Sequence, residues 1–272
     1  MTKTETVRLQ GSLRHSLLKM YHSANAGHVA CSLSCIDLMI ASLIQHKKTT
    51  DSFILSKGHA AASLYVCLNY TGEISDAQLE TFYKNGTSLP AHPAANKFQG
   101  IPFALGSLGH GLPIACGIAK ANKLHSKTGP ASDSAYAYVL MSDGETNEGT
   151  TWEAAHFAVR HQLDNLIVLI DKNGLQGFGT TDQVLGDTAD ETQLINLGFE
   201  VKQADGHNPG EMGKAIEDFK TSKNGKPKVL IANTVKGKGV SFMENKLEWH
   251  YLPMDAASYA HAIVELKEKY GA

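Results

Sequence analysis

Two apolar runs, each halted by a polar residue and a glycine, constrain this chain more than any other feature. The first is Tyr138-Val-Leu-Met-Ser-Asp143-Gly144; the second is Leu166-Ile-Val-Leu-Ile-Asp171-Lys172-Asn173-Gly174. Short runs rich in Val, Ile and Leu predict strands buried on both faces. Between them Trp152, Ala155, Phe157 and Val159 recur at helical spacing over 150–162. Strand, helix, strand is a βαβ unit, which brings both polar tips to one edge of a parallel sheet. Ligands of open α/β sheets bind at that carboxyl edge. Asp143 and Asn173 are therefore expected to face each other across a short gap. Their hard oxygen atoms suit Mg2+ or Ca2+. Mg2+ takes few protein ligands and fills its shell from phosphate oxygens and water. Gly144 lets a phosphate approach the backbone. The pattern predicts a half-cage for a metal-bound diphosphate.

The rest of the chain supplies further α/β elements. Helices are expected over 7–21, 33–44, 61–70, 112–124, 191–197, 210–221 and 256–269 from their apolar spacing. Ser75-Asp-Ala-Gln78 is a capping box that opens one more helix, closed at Asn85-Gly86. Further strands are expected at 53–56, 199–203 and 227–235. Irregular segments fall at 89–103, around Ala91-His92-Pro93, and in polar loops over 126–134 and 177–190; the last should lie over the site. Gly106-Ser-Leu-Gly109-His110-Gly111 opens a helix, where backbone N–H groups can hold an anion. No repeat, low-complexity stretch or linker stands out. The expected fold is α/β: one domain over 1–272, a doubly wound parallel sheet with helices on both faces.

A net charge of -2 without a long basic run argues against nucleic acid or an anionic membrane as partner. No apolar run is expected to span a membrane, and the first residues lack a secretory h-region. Cys31, Cys35, Cys67 and Cys116 sit among small or apolar residues and read as buried reduced thiols in a cytoplasmic protein. Several of the thirteen histidines fall in Gly-rich turns, where sites are built on loops over a rigid sheet.

Asp143-Gly144 followed thirty positions on by Asn173 resembles the thiamine-diphosphate motif. Glu145-Thr-Asn147-Glu148-Gly149-Thr-Thr-Trp152-Glu153-Ala154 and Asn173-Gly-Leu-Gln176 resemble transketolase more narrowly, and the likeness runs from Leu18 to His250. Ser142 stands where the family motif begins with Gly. Four histidine turns match in order: Gly27-His28, Ser56-Lys57-Gly58-His59, Ala91-His92-Pro93 and Trp249-His250. The resemblance implies that His28, His59, His92 and His250 line the substrate channel or contact the cofactor. Imidazole suits sugar hydroxyls, because it exchanges protons near neutral pH. It also implies cofactor contacts from Gly109, from His110 as a lesser candidate, and from Gly144, with Leu175 offering its carbonyl to the metal. Glu148 matches a glutamate at the family's subunit interface, and reads equally as an acid in a first helical turn. Lys236 and Lys238 read as solvated rather than phosphate-binding. Two departures are Val29-Ala30 after His28, where the family has Pro-Gly, and Tyr251 after His250, where Gly is usual; Tyr251 is expected to narrow the entrance.

Transketolases also carry a part that binds the aminopyrimidine ring and supplies an activating glutamate. Within 272 residues there is no room for a second such domain. The resemblance therefore implies an N-terminal subunit of a split transketolase. It would be inactive alone and would pair with a pyrimidine-binding chain as two copies of each. Its reaction would be transfer of a two-carbon ketol unit from a ketose, of the phosphate class, to an aldose. Alternatives are a subunit of a 2-oxo-acid dehydrogenase or of a 1-deoxyxylulose-phosphate synthase, or a binding subunit without turnover. The four histidine contexts and Lys236-Gly-Lys-Gly-Val-Ser-Phe-Met-Glu244 favour transketolase over these.

Overall fold

The computed structural model describes residues 1–128 and 135–271. The five expected strands form: β1 (Ser52–Leu55), β2 (Ala137–Ser142), β3 (Leu166–Lys172), β4 (Glu200–Asp205) and β5 (Lys228–Asn233). They pair in parallel in the order β1-β2-β3-β5-β4. Successive strand residues point to opposite faces, and here both faces are covered. Phe53, Leu55, Tyr138, Leu140, Ile167, Leu169 and Leu230 enter one core, while Ile54, Val139, Met141, Val168, Ile170, Val229 and Ile231 enter the other. That is why these strands read as continuous apolar runs.

The first core is roofed by α1 (Lys3–Ala24), α2 (Val29–Met39), α3 (Ala61–Tyr70), α9 (Pro209–Thr221) and α10 (Ala256–Tyr270). The second is covered by α5 (Gly111–Thr128), α6 (Gly149–Arg160) and α8 (Glu191–Leu197). The chain steps one way along the sheet from β1 to β3, then crosses to the edge strand β4 and returns to β5. Right-handed crossovers in opposite directions put helices on opposite faces. The expected doubly wound architecture is therefore the observed one. Each fully buried Leu or Ile of α2, such as Leu33 and Ile36, contributes about 1.5–3 kcal/mol.

Several boundaries differ from expectation. Helix α2 begins at Val29 rather than at 33, because His28 takes a left-handed conformation (φ 71°) that launches the helix directly. Beyond Met39 it continues as a wider, π-helical segment, Ile40–His46. Ser75 caps α4 (Asp76–Leu79) with the expected box, yet the helix stops after one turn. The amides of Thr81 and Phe82 reach carbonyls three residues back, and Tyr83 adopts φ 62°. Helix α5 runs on through Thr128, so 126–128 are helical; the remainder of the loop expected over 126–134 lies outside the described residues. The expectation of no membrane-length apolar run is also corrected. Val29–His46 has the length and a mean hydropathy of 1.5, but 83% of it is buried in the fold, as a central core helix requires.

The segment after β3 is more ordered than a plain polar loop. Leu175 and Thr180 form an antiparallel bridge, α7 (Thr181–Val184) follows, and the Thr188 hydroxyl donates to Asn147 Oδ1 at 2.6 Å.

Candidate active site

Four strands deliver side chains to one edge. β1 runs out into Ser56, Lys57 and His59; β2 into Asp143 and Gly144; β3 into Asn173, Leu175 and Gln176; and β5, after a short turn, into Lys236. The register pairs Ser142 with Asp171, so the tips carrying Asp143 and Asn173 are neighbours, as expected. Together with His28, His92 and His250 they line a cavity of about 460 Å3. Another hollow, about 520 Å3, lies between α1 and the 69–84 segment, and none of these groups touches it.

Asp143 is 3% exposed. Its Oδ1 accepts from the Gly144 amide (2.8 Å) and its Oδ2 from the Gly174 amide (2.6 Å). Burial, aided by the nearby charge of Asp171, pushes its carboxyl up to about 6. Asn173 Oδ1 accepts from the Leu175 amide at 3.1 Å. Ser142 is extended (φ -96°), so this position does not require the family's glycine. Gly144 does have a steric reason: a Cβ there would lie 3.0 Å from the Gln176 side chain. Among the described residues no three His, Cys, Asp or Glu side chains cluster as a metal site. The candidate set is instead one carboxylate, one amide oxygen and the Leu175 carbonyl, a sparse oxygen set of the kind Mg2+ completes with phosphate and water.

The four histidines converge from four separate segments. His28 lies 5.7 Å from His59, 6.4 Å from His92 and 5.3 Å from His250, ring centroid to centroid, and His59 lies 5.7 Å from His250. The His28 amide donates to the His250 carbonyl (3.1 Å), tying the entry of α2 to the turn Leu247–His250. Gly106 makes room for His92, whose ring would stand 3.0 Å from a Cβ there. Burial lowers all four imidazoles. For His59 the nearby Lys57 adds to it, and for His250 burial followed by Lys236 presses the value to about 3. Lys236 Nζ sits 2.8 Å from His250 Nδ1 and donates to the Leu175 carbonyl at 3.1 Å. A neutral His250 that accepts from this ammonium at Nδ1 keeps its own proton on Nε2.

Gly109 is placed differently from expectation. Its φ of 82° needs glycine, but its amide donates to Glu145 Oε1 (2.8 Å) and its carbonyl accepts from Thr150 Oγ1 (3.0 Å), so its hydrogen bonds are spent inside the protein. Gly106 and Leu108 line the cavity in its stead. His110 is exposed and outside the lining, with Nδ1 beside the Leu108 carbonyl at 3.2 Å. Glu148 lines the cavity as the exposed N-cap of α6, an arrangement consistent with either of its readings.

Four functional-looking groups escaped the sequence reading. Lys57 is 1% exposed and paired with the fully buried Asp171, which also accepts from Ser34 Oγ (2.6 Å) and Thr234 Oγ1. Burial is the largest single influence and would lower the lysine, but the Asp171 charge, the nearby Cys35 and Cys31 and the hydrogen bond to Asp171 together raise it. Lys236 is 2% exposed rather than solvated, and burial lowers its ammonium. Glu145 is fully buried, bonded at Oε1 to Ser56 and Gly109, and pushed up by burial to about 7. Gln176 Nε2 and Glu145 Oε2 are buried without a hydrogen-bond partner. Unpaired buried polar atoms are rare and call for an explanation; at this edge a polar ligand would supply a partner for Gln176 Nε2.

Comparison with known proteins decides the kinship. The family described as "Transketolase, thiamine diphosphate binding domain" matches residues 12–272. The chain belongs to this family. It is 36% identical to an apulose-4-phosphate transketolase subunit of Actinobacillus succinogenes, over 91% of this chain and 90% of that protein. It is 34% identical to the 6-deoxy-6-sulfo-D-fructose transketolase subunit SqwG of a Clostridium species, over 96% and 95%. Among solved structures, the transketolase of Campylobacter jejuni superposes with a TM-score of 0.87 at 30% identity, and that of Leishmania mexicana with 0.87 at 25%. This chain is covered completely but spans only 43% and 42% of those two chains.

Proposed function

We propose that this chain is the diphosphate- and metal-binding subunit of a two-chain transketolase. In this reading it moves a two-carbon ketol unit from a phosphorylated ketose to an aldose, working with a separate pyrimidine-binding subunit in an assembly of two copies each. The observation that carries the reading is the convergence of four imidazoles on the sheet edge that presents Asp143 and Asn173. Membership of the transketolase family, and relatives of similar length named as transketolase subunits, support it.

The residues fit thiamine diphosphate with Mg2+ or Ca2+. Asp143, Asn173 and the Leu175 carbonyl would hold the metal. Lys236, Gln176 and the turn at Gly106 and Leu108 would meet the diphosphate, in place of the Gly109 amide. The cofactor, when bound, supplies the electron sink for carbon–carbon bond cleavage. The chain's own part is to bind, orient and move protons. His28, His59, His92 and His250 would hold sugar hydroxyls and pass protons to and from them, for which lowered, neutral imidazoles serve as acceptors and donors. Phe178, 89% exposed on the cavity lining, and Leu185 and Leu252, 62% and 48% exposed on the adjoining segments, supply an apolar rim for the partner subunit. One domain over 1–272 in the cytoplasm completes the reading; four free buried thiols are consistent with that compartment.

The test is ketol transfer by the purified chain with and without its co-expressed partner. Turnover is expected only from the pair. Robust transfer by the single chain would overturn the split-site reading.

A further inference from the structure

Tyr251 ends the turn Leu247–His250 and reaches across the cavity mouth. Its hydroxyl donates to the Gly177 carbonyl at 3.2 Å, on the segment that follows Asn173. Its ring lies 4.6 Å from His250 at 36° and 6.1 Å from His28 at 67°. Two glycines give way to it. A Cβ at Gly177 would stand 2.2 Å from the Tyr251 hydroxyl, and one at Gly27 would stand 2.2 Å from the Tyr251 carbonyl oxygen. A tyrosine 54% exposed would ordinarily swing into solvent; this one is seated on both sides, against the histidines a sugar would meet.

We propose that Tyr251 determines sugar length in this enzyme. Its ring, latched to Gly177, occupies the room that the far carbons of a long ketose or aldose need, and so favours short sugars. The inference rests on the ketol-transfer reading above. The ring performs no chemistry; it is a wall held by its packing against His250 and His28, and its hydroxyl ties the Gly177 segment to it. Steric discrimination in an enclosed pocket runs at about 10–200-fold for a misfit of methylene size, and an opening on a half-exposed rim belongs at the low end.

The experiment uses the two-chain holoenzyme with ketoses of four to seven carbons. Tyr251→Gly is expected to raise kcat/KM for seven-carbon over four-carbon donors by about tenfold, mainly through KM. Tyr251→Phe keeps the ring and is expected to keep the wild-type ratio. Amide hydrogen exchange over residues 174–180 is expected to quicken in both variants, because both lose the bond to Gly177. Normal turnover with an unchanged length ratio in Tyr251→Gly overturns this inference alone. A Phe variant that behaves like Gly also overturns it, since the ring would then not be the wall. Absence of transfer with any sugar by the wild-type pair overturns the proposed function and this inference with it.

Discussion

On the β2–β3 side of the cavity the titratable groups are acids, Asp143 and Glu145, raised by burial to about 6 and about 7. On the opposite side, from β1, α2, the irregular segment 89–103, β5 and the turn after it, they are bases. His28, His59, His92, His250 and Lys236 are all lowered, with burial the largest cause in each. Both sides are pushed towards neutrality because burial outweighs the opposite charges near them. Directly beneath, Lys57 and Asp171 are more buried than any of the histidines but have each other, and each is shifted towards its charged form. The difference separates framework from site. Charges that the fold satisfies internally hold the floor, and those left wanting are the ones a ligand must satisfy. In the proposed function a divalent cation at Asp143, a diphosphate at Lys236 and sugar hydroxyls at the imidazoles would complete both.

The largest effect should come from breaking the floor. Lys57→Met leaves Asp171 buried without its cation, which costs about 3–5 kcal/mol and lowers Tm by on the order of 10 °C for a chain of this size. Replacing both partners, Lys57→Met with Asp171→Leu, should recover most of that loss in thermal unfolding. If the single variant unfolds at the wild-type temperature, the pair is not part of the framework. Next is the acidic side. Asp143→Ala should weaken metal-dependent cofactor binding by about 100-fold or more, since even groups that only orient a metal ligand cost 10–100-fold. Calorimetry on the two-chain assembly that returned an unchanged affinity would remove Asp143 from the metal set.

These two sides were not equally legible beforehand. Strands β1, β2, β3 and β5 could be read because each feeds two cores and so carries no polar alternation, whereas the edge strand β4 is mostly polar and half-exposed. Asp143 and Asn173 could be read because they stand where strands stop, whereas the four histidines could be placed only through the resemblance of their turns to transketolase; His250, between Trp249 and Tyr251, has no small neighbour to mark it. Lys57, Glu145 and Lys236 could not be read. A lysine in a glycine-rich turn has the same local signature whether it is solvated or buried. What buries Lys57 is Asp171, 114 positions away, and only the strand pairing brings them together. Gly109 shows the converse. Its glycine was read as an open backbone for a ligand, whereas the side chain of Glu145, folded under the same turn, claims the amide. Tertiary partners decide such cases, and periodicity does not report them.

The basic side offers a subtler test. His250 sits at about 3 in the native state against about 6.5 in an unfolded chain. Between those values the unfolded chain holds the extra proton, so this group costs the native state stability as pH falls from about 6.5 towards 3. Asp143 and Glu145 act in the opposite sense, holding extra protons natively between their unfolded values and about 6 and 7, which favours the native state as pH falls. Urea unfolding of the single chain from pH 7 to 4.5 should separate them: His250→Gln removes only the imidazole contribution, so the variant should lose less stability than wild type on acidification. Lys236→Met should raise the His250 pKa, seen by NMR of the ring proton, because a neighbouring cation is gone. A His250 titration unmoved by that change would mean that Lys236 does not contribute to it.

The smallest effect is expected at His110, and it sharpens where the basic side ends. The residue belongs to the same glycine-rich helix entry as Gly106 and Leu108, which line the cavity, so sequence proximity alone would include it. Its side chain is exposed and outside the lining, with a ring nitrogen turned to the carbonyl of Leu108 in its own turn. A single exposed contact of this kind contributes no more than about 1 kcal/mol. His110→Ala should therefore change cofactor affinity in the two-chain assembly by less than about fivefold and leave the ketose KM in place. A loss approaching that of Asp143→Ala would show that the cofactor draws this turn inward on binding, and the boundary between lining and surface would have to be redrawn around His110.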